Sequence, residues 1–183
     1  MARVAGVVLA AGAGTRAGGP KALRRDADGV PWLARAVAAL RGGGCDGIRV
    51  VLGADAGNAR ALVPDGVEVV VAAEWADGLS ASFRAGLDGL DADAAVVTLV
   101  DLHGLPAEAV SRILAAPVDA GTLRRATYAG RPGHPVLLGR DHWAGAVASA
   151  VGDRGAGRYL KAQDAELVEL SGLWDGADDD GPG

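Results

Sequence analysis

Cysteine is nearly absent from this chain. Cys45 stands alone, so an internal disulfide cannot form and a Cys-x-x-Cys metal site does not exist. Histidine is almost as scarce, and His103, His134 and His142 are too scattered to point to a zinc cluster. Aromatic residues make up 4% of the chain while 50% of it is hydrophobic, so the core has to be built from Ala, Val and Leu. No apolar run approaches the roughly 18 residues that a membrane span needs. No basic leader followed by an apolar stretch and a cleavage site opens the chain, so a cytoplasmic protein with no membrane partner is expected. Positive charge is in deficit, with a formal net charge of −5 and no basic stripe, which excludes a nucleic-acid surface and points to a small-molecule partner.

What is present is a regular alternation of apolar runs. Continuous β-branched runs at 4–9, 48–52, 67–71 and 95–100 suit strands buried on both faces of a largely parallel sheet. Helical patterns fall between them, at 31–40, 56–62, 80–90 and 106–115. The predicted class is therefore α/β, a three-layer α/β/α Rossmann-like arrangement with a mostly parallel central sheet. Further on, short strands are expected at 124–128, 135–138 and 167–170, with helices at 142–150 and 156–163. No linker composition interrupts the chain, so one domain over 1–174 is expected, followed by a disordered Asp- and Gly-rich tail at 175–183. Nothing in the sequence fixes the oligomeric state between a monomer and a small homo-oligomer.

The first strand runs into a glycine-rich loop, Leu9-Ala10-Ala11-Gly12-Ala13-Gly14-Thr15-Arg16, and the segment ends on Pro20-Lys21. Gly12 and Gly14 leave backbone N–H groups open to an anion, and Arg16 and Lys21 supply charge to neutralise a triphosphate. A P-loop needs Ser or Thr after its lysine, but Ala22 follows Lys21. A dinucleotide fingerprint needs a helix that starts within the motif and an acid about 20 residues on. Gly18, Gly19 and Pro20 break such a helix, and residues 32–41 hold no acid.

A second polar constellation lies in Gly78-Leu79-Ser80-Ala81-Ser82, where Ser80 is placed to cap a helix. A third is Asp101, at the end of an apolar strand. Open α/β sheets bind ligands beyond such strand ends, which makes Asp101 the leading candidate for holding a hard cation, against the alternative of a helix cap before Pro106. Two later segments, Gly130-Arg131-Pro132-Gly133-His134-Pro135-Val136 and Gly152-Asp153-Arg154-Gly155-Ala156-Gly157-Arg158, are rich in glycine and charge. His134 reads equally as a structural hydrogen-bonder or a functional group, and Asp153 equally as a turn aspartate or a metal carboxylate.

In order and spacing these segments resemble the nucleotidyltransferases that mature the molybdenum cofactor, and most resemble the cytidylyltransferases among them. His103 departs from that pattern, standing where a proline usually follows the strand-end aspartate, and Gly157 is inserted before Arg158. The resemblance implies transfer of a nucleoside monophosphate from an NTP to a phosphorylated small molecule, with release of pyrophosphate. The implied acceptor is a molybdopterin-type cofactor. Leu9, Ala10, Ala11, Gly12, Gly14, Arg16 and Lys21 would hold the nucleotide phosphates, with Gly78, Ser80 and Ser82 along the base. Arg16, Lys21 and Asp101 would act in catalysis, Asp101 and Asp153 would bind Mg2+, with Mn2+ able to substitute, and His134 and Arg158 would face the acceptor. The Leu-Ala-Ala-Gly form of the loop leans toward CTP, since related guanylyltransferases carry Leu-Ala-Gly-Gly. Same-fold alternatives are a transferase acting on a sugar phosphate or small phosphorylated acid, and a non-catalytic nucleotide-binding regulator.

Overall fold

The computed structural model describes residues 1–15 and 18–178. Strand β1 (Val4–Ala10) is buried along its whole length, as its unbroken apolar sequence requires. It pairs in parallel with β2 (Gly47–Leu52) on one side and with β4 (Ala94–Leu99) on the other. Strand β3 (Glu68–Val71) extends the sheet beyond β2. Beyond β4 lie β6 (Arg131–Gly139), β5 (Leu123–Tyr128) and β7 (Glu166–Glu169), giving the seven-stranded order β3-β2-β1-β4-β6-β5-β7. Only β6 runs against its neighbours.

Alternation along β1 sorts the core into two layers. Val8 and Ala10 face a cluster with Leu33 and Leu40 of α1 (Trp32–Gly42) and Val110 and Ile113 of α4 (Ala107–Ile113). Val7, Leu9 and Ala11 face Phe83 and Leu87 of α3 (Leu79–Leu87), Ala146 of α5 (Trp143–Ser149) and Leu160 of α6 (Gly157–Ala162). Helix α2 (Ala56–Arg60) packs beside β2. The three-layer α/β/α expectation is met, because side chains of period two on a two-sided sheet need a helical layer on each face. No helix among the described residues is long and apolar enough to cross a membrane.

Two details differ from the sequence expectation. Strand β6 begins at Arg131 rather than at 135, because Ala129 and Gly130 take positive φ (50° and 75°) and close a hairpin directly onto it. The stretch expected to start a tail at 175 is packed at its beginning, where Gly176 lies against the Tyr128 ring; residues 179–183 fall outside the described residues.

Two buried arginines fasten the helices to the sheet. Arg49 on β2, 4% exposed, pairs with Glu68 and donates to the carbonyls of Gly86 and Asp88, which close the end of α3. Arg124 on β5, 6% exposed, pairs with Glu166 and donates to the carbonyls of Ile113, Ala116 and Pro117 at the end of α4. Each guanidinium satisfies helix-end carbonyls that have no partner within the helix. Arg124→Met should therefore cost about 2–3 kcal/mol, mostly from stranded carbonyls, while Glu166→Gln, at an exposed partner, should cost less than about 1 kcal/mol. Urea unfolding checks this: the midpoint should fall for Arg124→Met with an unchanged slope, and equal losses for both variants would assign the energy to the ion pair instead.

Candidate active site

The chain winds outward from β1 through β2 and β3, then returns to lay β4 on the other side of β1. A crevice opens at such a reversal, beyond the carboxyl ends of the two central strands. Leu9 and Leu99 are paired across β1 and β4, so the glycine loop that follows Ala10 and the aspartate that follows Val100 leave the sheet side by side. A one-turn helix, Lys21–Leu23, ends the loop and brings Lys21 Nζ to 2.9 Å from Asp101 Oδ2. Both side chains are mostly shielded, at 18% and 16% exposed. The second oxygen, Asp101 Oδ1, is buried and accepts no hydrogen bond among the described residues.

The loop forms one wall of a cleft of about 660 Å³. Leu9, Ala11, Gly12, Gly14, Lys21, Gly78, Ser82 and Asp153 all line it, so residues far apart in sequence are brought together. Gly14 is required for the loop's shape: it has φ 57°, its carbonyl accepts from Gly19, and a Cβ there would lie 2.0 Å from the Gly19 oxygen. No oxygen among the described residues accepts from the N–H groups of Gly12, Ala13 or Gly14. These amides border the cleft ready for an anion. Arg16 lies outside the described residues. Trp75, which the sequence reading missed, adds an aromatic wall. Its only signal was an aromatic just ahead of the Gly78 segment.

Two expectations on this wall need correction. Ala10 does not present its side chain to the cleft: strand alternation sends it into the α1 layer and leaves Leu9 and Ala11 on the cleft side. Ser80 is not the helix cap. Gly78 holds that position at φ 98°, helix α3 starts at Leu79, and the buried Ser80 sits within the helix with its N–H donating to Gly152 O at 2.9 Å. A backbone carbonyl from the 152–154 turn thus does what a capping side chain would do, and it fixes Asp153 beside Gly78.

A second cavity, of about 350 Å³, adjoins the cleft, and Leu9 and Leu79 border both. Its walls are apolar side chains of the sheet and α3, joined by Arg125, His134, Arg154 and Arg158. The two residues expected to face an acceptor, His134 and Arg158, therefore line one cavity, despite the glycine inserted before Arg158. Burial holds His134 below the usual imidazole range, Arg125 pushes the same way, and the Val97 carbonyl and Asp101 oppose it. The ring is accordingly neutral at pH 7. Its Nδ1 lies 3.3 Å from the Val97 carbonyl, which can only accept, so that nitrogen carries the proton and Nε2 keeps its lone pair. Arg125 and Arg154 were missed by the sequence reading. For Arg125 the signal was there: two successive arginines in a strand must leave the sheet through opposite faces.

His103, in the position where proline was expected, stacks flat on Trp32 with ring centroids 4.3 Å apart and 6° between planes. Arg24 lies over the same Trp32 ring at 5.5 Å. Stacking thus steadies the loop after Asp101. The residues also fit a hard cation, because Asp101 Oδ1 is a sealed acceptor without a donor and Asp153 borders the cleft that Lys21 lines. No group of three or more metal-ligating side chains occurs among the described residues, so such an ion would complete its shell with phosphate oxygens and water, as Mg2+ commonly does.

Comparison with known proteins agrees with this geometry. The pattern of the MobA-like NTP transferase domain matches residues 6–167. The nicotine blue oxidoreductase of Paenarthrobacter nicotinovorans is 34% identical over 189 residues, covering 91% of this chain and 85% of that protein. The molybdenum cofactor guanylyltransferase of Rhodobacter capsulatus is 30% identical over 176 residues, covering 93% and 81%. Among solved structures, the manganese complex of Rv0371C from Mycobacterium tuberculosis superposes with a TM-score of 0.73 at 28% identity, covering 92% of this chain and 87% of that one.

Gly78 and Gly12, both on the cleft, should behave oppositely. A Cβ at Gly78 would stand 2.6 Å from Asp153 Oδ1 and 2.7 Å from the Gly152 carbonyl carbon, whereas one at Gly12 meets nothing within 4 Å. Gly78→Ala should destabilise the protein by about 1–3 kcal/mol through strain at positive φ. Gly12→Ala should leave stability within about 0.5 kcal/mol and weaken nucleotide binding by crowding the amides. Paired urea unfolding and nucleotide titration separate the two, and Gly12→Ala binding NTP as well as wild type would remove the phosphate cradle.

Proposed function

This chain belongs to the MobA-like NTP transferase domain family, and from that premise we propose that it moves a nucleoside monophosphate from CTP to the phosphate of a molybdopterin-type cofactor, releasing pyrophosphate. The observation that carries the reading is the set of unpartnered loop amides beside a Lys21–Asp101 pair at a strand switch point. An acceptor phosphate oxygen attacks the α-phosphorus, the bond from that phosphorus to the bridging oxygen breaks, and pyrophosphate carries away the electron pair. Nothing in this exchange needs a covalent enzyme intermediate, so the residues act by position and charge.

The amides of Gly12, Ala13 and Gly14 hold the β- and γ-phosphates, and Arg16 secures the leaving pyrophosphate. Lys21, anchored by Asp101, stabilises charge that grows at the α-phosphate. Gly78, Ser82 and Trp75 flank the base, while Ser80 sets the start of α3, which carries Ser82. His134 and Arg158 receive the acceptor from the adjoining cavity. Asp101 and Asp153 would hold Mg2+, or Mn2+ in its place, which neutralises phosphate charge when bound.

The base is the finer part of the reading. The Leu-Ala-Ala-Gly loop supports CTP, while the name of the Rhodobacter relative supports GTP. Ala11 is 2% exposed and its Cβ would stand 2.7 Å from a Cβ on Gly53, so its methyl group is largely taken up in packing. One methyl group in a pocket is worth about 1–3 kcal/mol at most, so the preference for CTP should not exceed about 200-fold. Competition between CTP and GTP in one pyrophosphate-release assay measures it, and a preference for GTP would overturn the base reading alone.

One observation favours a second reading, an oxidoreductase on the same scaffold: the 34% identical relative carries a redox name. Oxidation of NAD(P)H with a quinone-like dye, run beside NTP-dependent pyrophosphate release, decides between them. In the transferase reading, Lys21→Ala should lower single-turnover transfer by about a hundredfold or more with a smaller loss of nucleotide affinity. Asp101→Asn should abolish metal-dependent transfer. An unchanged chemical step in Lys21→Ala would remove that role.

A further inference from the structure

The cavity beside the cleft holds a charge arrangement that attack on a nucleotide does not by itself require. Arg124 and Arg125 are adjacent on β5, so their side chains leave opposite faces of the sheet. All three nitrogens of Arg124 are engaged, donating to Glu166 and to carbonyls at the end of α4. Arg125 is the reverse: it makes no hydrogen bond or ion pair among the described residues, and its Nε is sealed from solvent. Its guanidinium lies by Gly157, where a Cβ would stand 3.6 Å from Nη1. No acid is found among the described residues that line the cavity, whereas Arg154 and Arg158 join Arg125 there and His134 beside them is neutral. In a chain of net charge −5 this is a local positive site against the background.

A guanidinium whose Nε–H is sealed from solvent with no acceptor among the described residues is a costly arrangement, and an anion relieves it with charge-assisted, often bidentate, bonds. The other walls, including Leu79, Phe83, Val97 and Val136, offer apolar surface to a ring or hydrocarbon body. The cavity's volume of about 350 Å³ suits a small organic ligand. We propose that this cavity seats the body of the acceptor and that Arg125 binds a second anionic group on it, remote from the attacking phosphate. The acceptor class is then an amphipathic small molecule with an apolar or ring-shaped middle and negative charge at two places. The inference rests on the transferase reading for the word acceptor, and on the cavity alone for the anion.

The test uses the full chain with 2-naphthoate and neutral 2-naphthol as probes, followed by calorimetry with and without MgCTP. Wild type should bind naphthoate about tenfold or more tighter than naphthol, and Arg125→Met should weaken naphthoate about 10- to 100-fold while leaving naphthol and MgCTP binding unchanged. In wild type, the ¹⁵N resonance of the Arg125 Nε–H, identified by its absence in Arg125→Lys, should move as naphthoate is added. That measurement stands even where Arg125→Met does not fold. Undiminished naphthoate binding by folded Arg125→Met, an unmoved Nε–H resonance, or displacement of naphthoate by CTP would each overturn the proposal. If naphthoate needs Arg125 but no NTP is turned over, the anion site stands and its assignment to a transfer acceptor falls. If CTP is turned over while Arg125→Met binds naphthoate as wild type does, the transferase reading stands and this proposal falls.

Discussion

The ion pair between Lys21 and Asp101 is the contact on which the rest of the site depends. It joins the far end of the glycine loop to the end of β4 at 2.9 Å, across a gap of 80 residues in sequence. Both partners are largely shielded, so the pair gives up hydration and recovers it only in a fixed geometry. With Lys21 held there, the loop must fold back on itself, and the Gly14–Gly19 hydrogen bond closes that turn. The amides between Ala11 and Gly14 are then left facing the cleft. One carboxylate oxygen of Asp101 is spent on the lysine and the other, buried, accepts no hydrogen bond among the described residues.

Around that pair the fold separates structural charge from functional charge by strand alternation. Arg49 and Arg124 point into the helix layers, where helix-end carbonyls and the carboxylates of Glu68 and Glu166 take their donors. Arg125, one residue further along β5, emerges on the other face into a cavity of apolar and basic side chains and makes no hydrogen bond or ion pair among the described residues. The contrast needs no special sequence, because two arginines in a row on a two-sided sheet cannot share an environment. The turn at 152–154 performs a similar double task. Its Gly152 carbonyl caps α3 through the Ser80 N–H, and that bond places Asp153 at the cleft and Arg154 at the cavity.

The order of elements, the mostly parallel sheet and the loop after β1 were legible in the sequence because each has a local cause. Unbroken Val- and Leu-rich runs make doubly buried strands, proline and glycine mark the turns, and a strand-end aspartate follows from where open sheets bind ligands. Less legible were the features with a distant partner. Ser80 looked like a cap because serine caps helices in general, yet the capping group came from Gly152. Ala10 was read as part of the loop by motif position, whereas the strand's two-residue period turned it toward α1.

By itself, then, the amino-acid sequence determined the elements, the glycine loop and the identity of the charged groups, since these depend on neighbours a few residues away and on the chemistry of single side chains. Only the tertiary structure decided which charges are consumed in holding helices and which remain for a ligand. Arg124 and Arg125 are indistinguishable as letters, and Asp101 alone could be a cap or an ion ligand. What separates them is whether a carbonyl, a lysine or nothing occupies the space beyond the side chain. That space is set by segments tens of residues away, packed there by the burial of apolar surface rather than by any local signal.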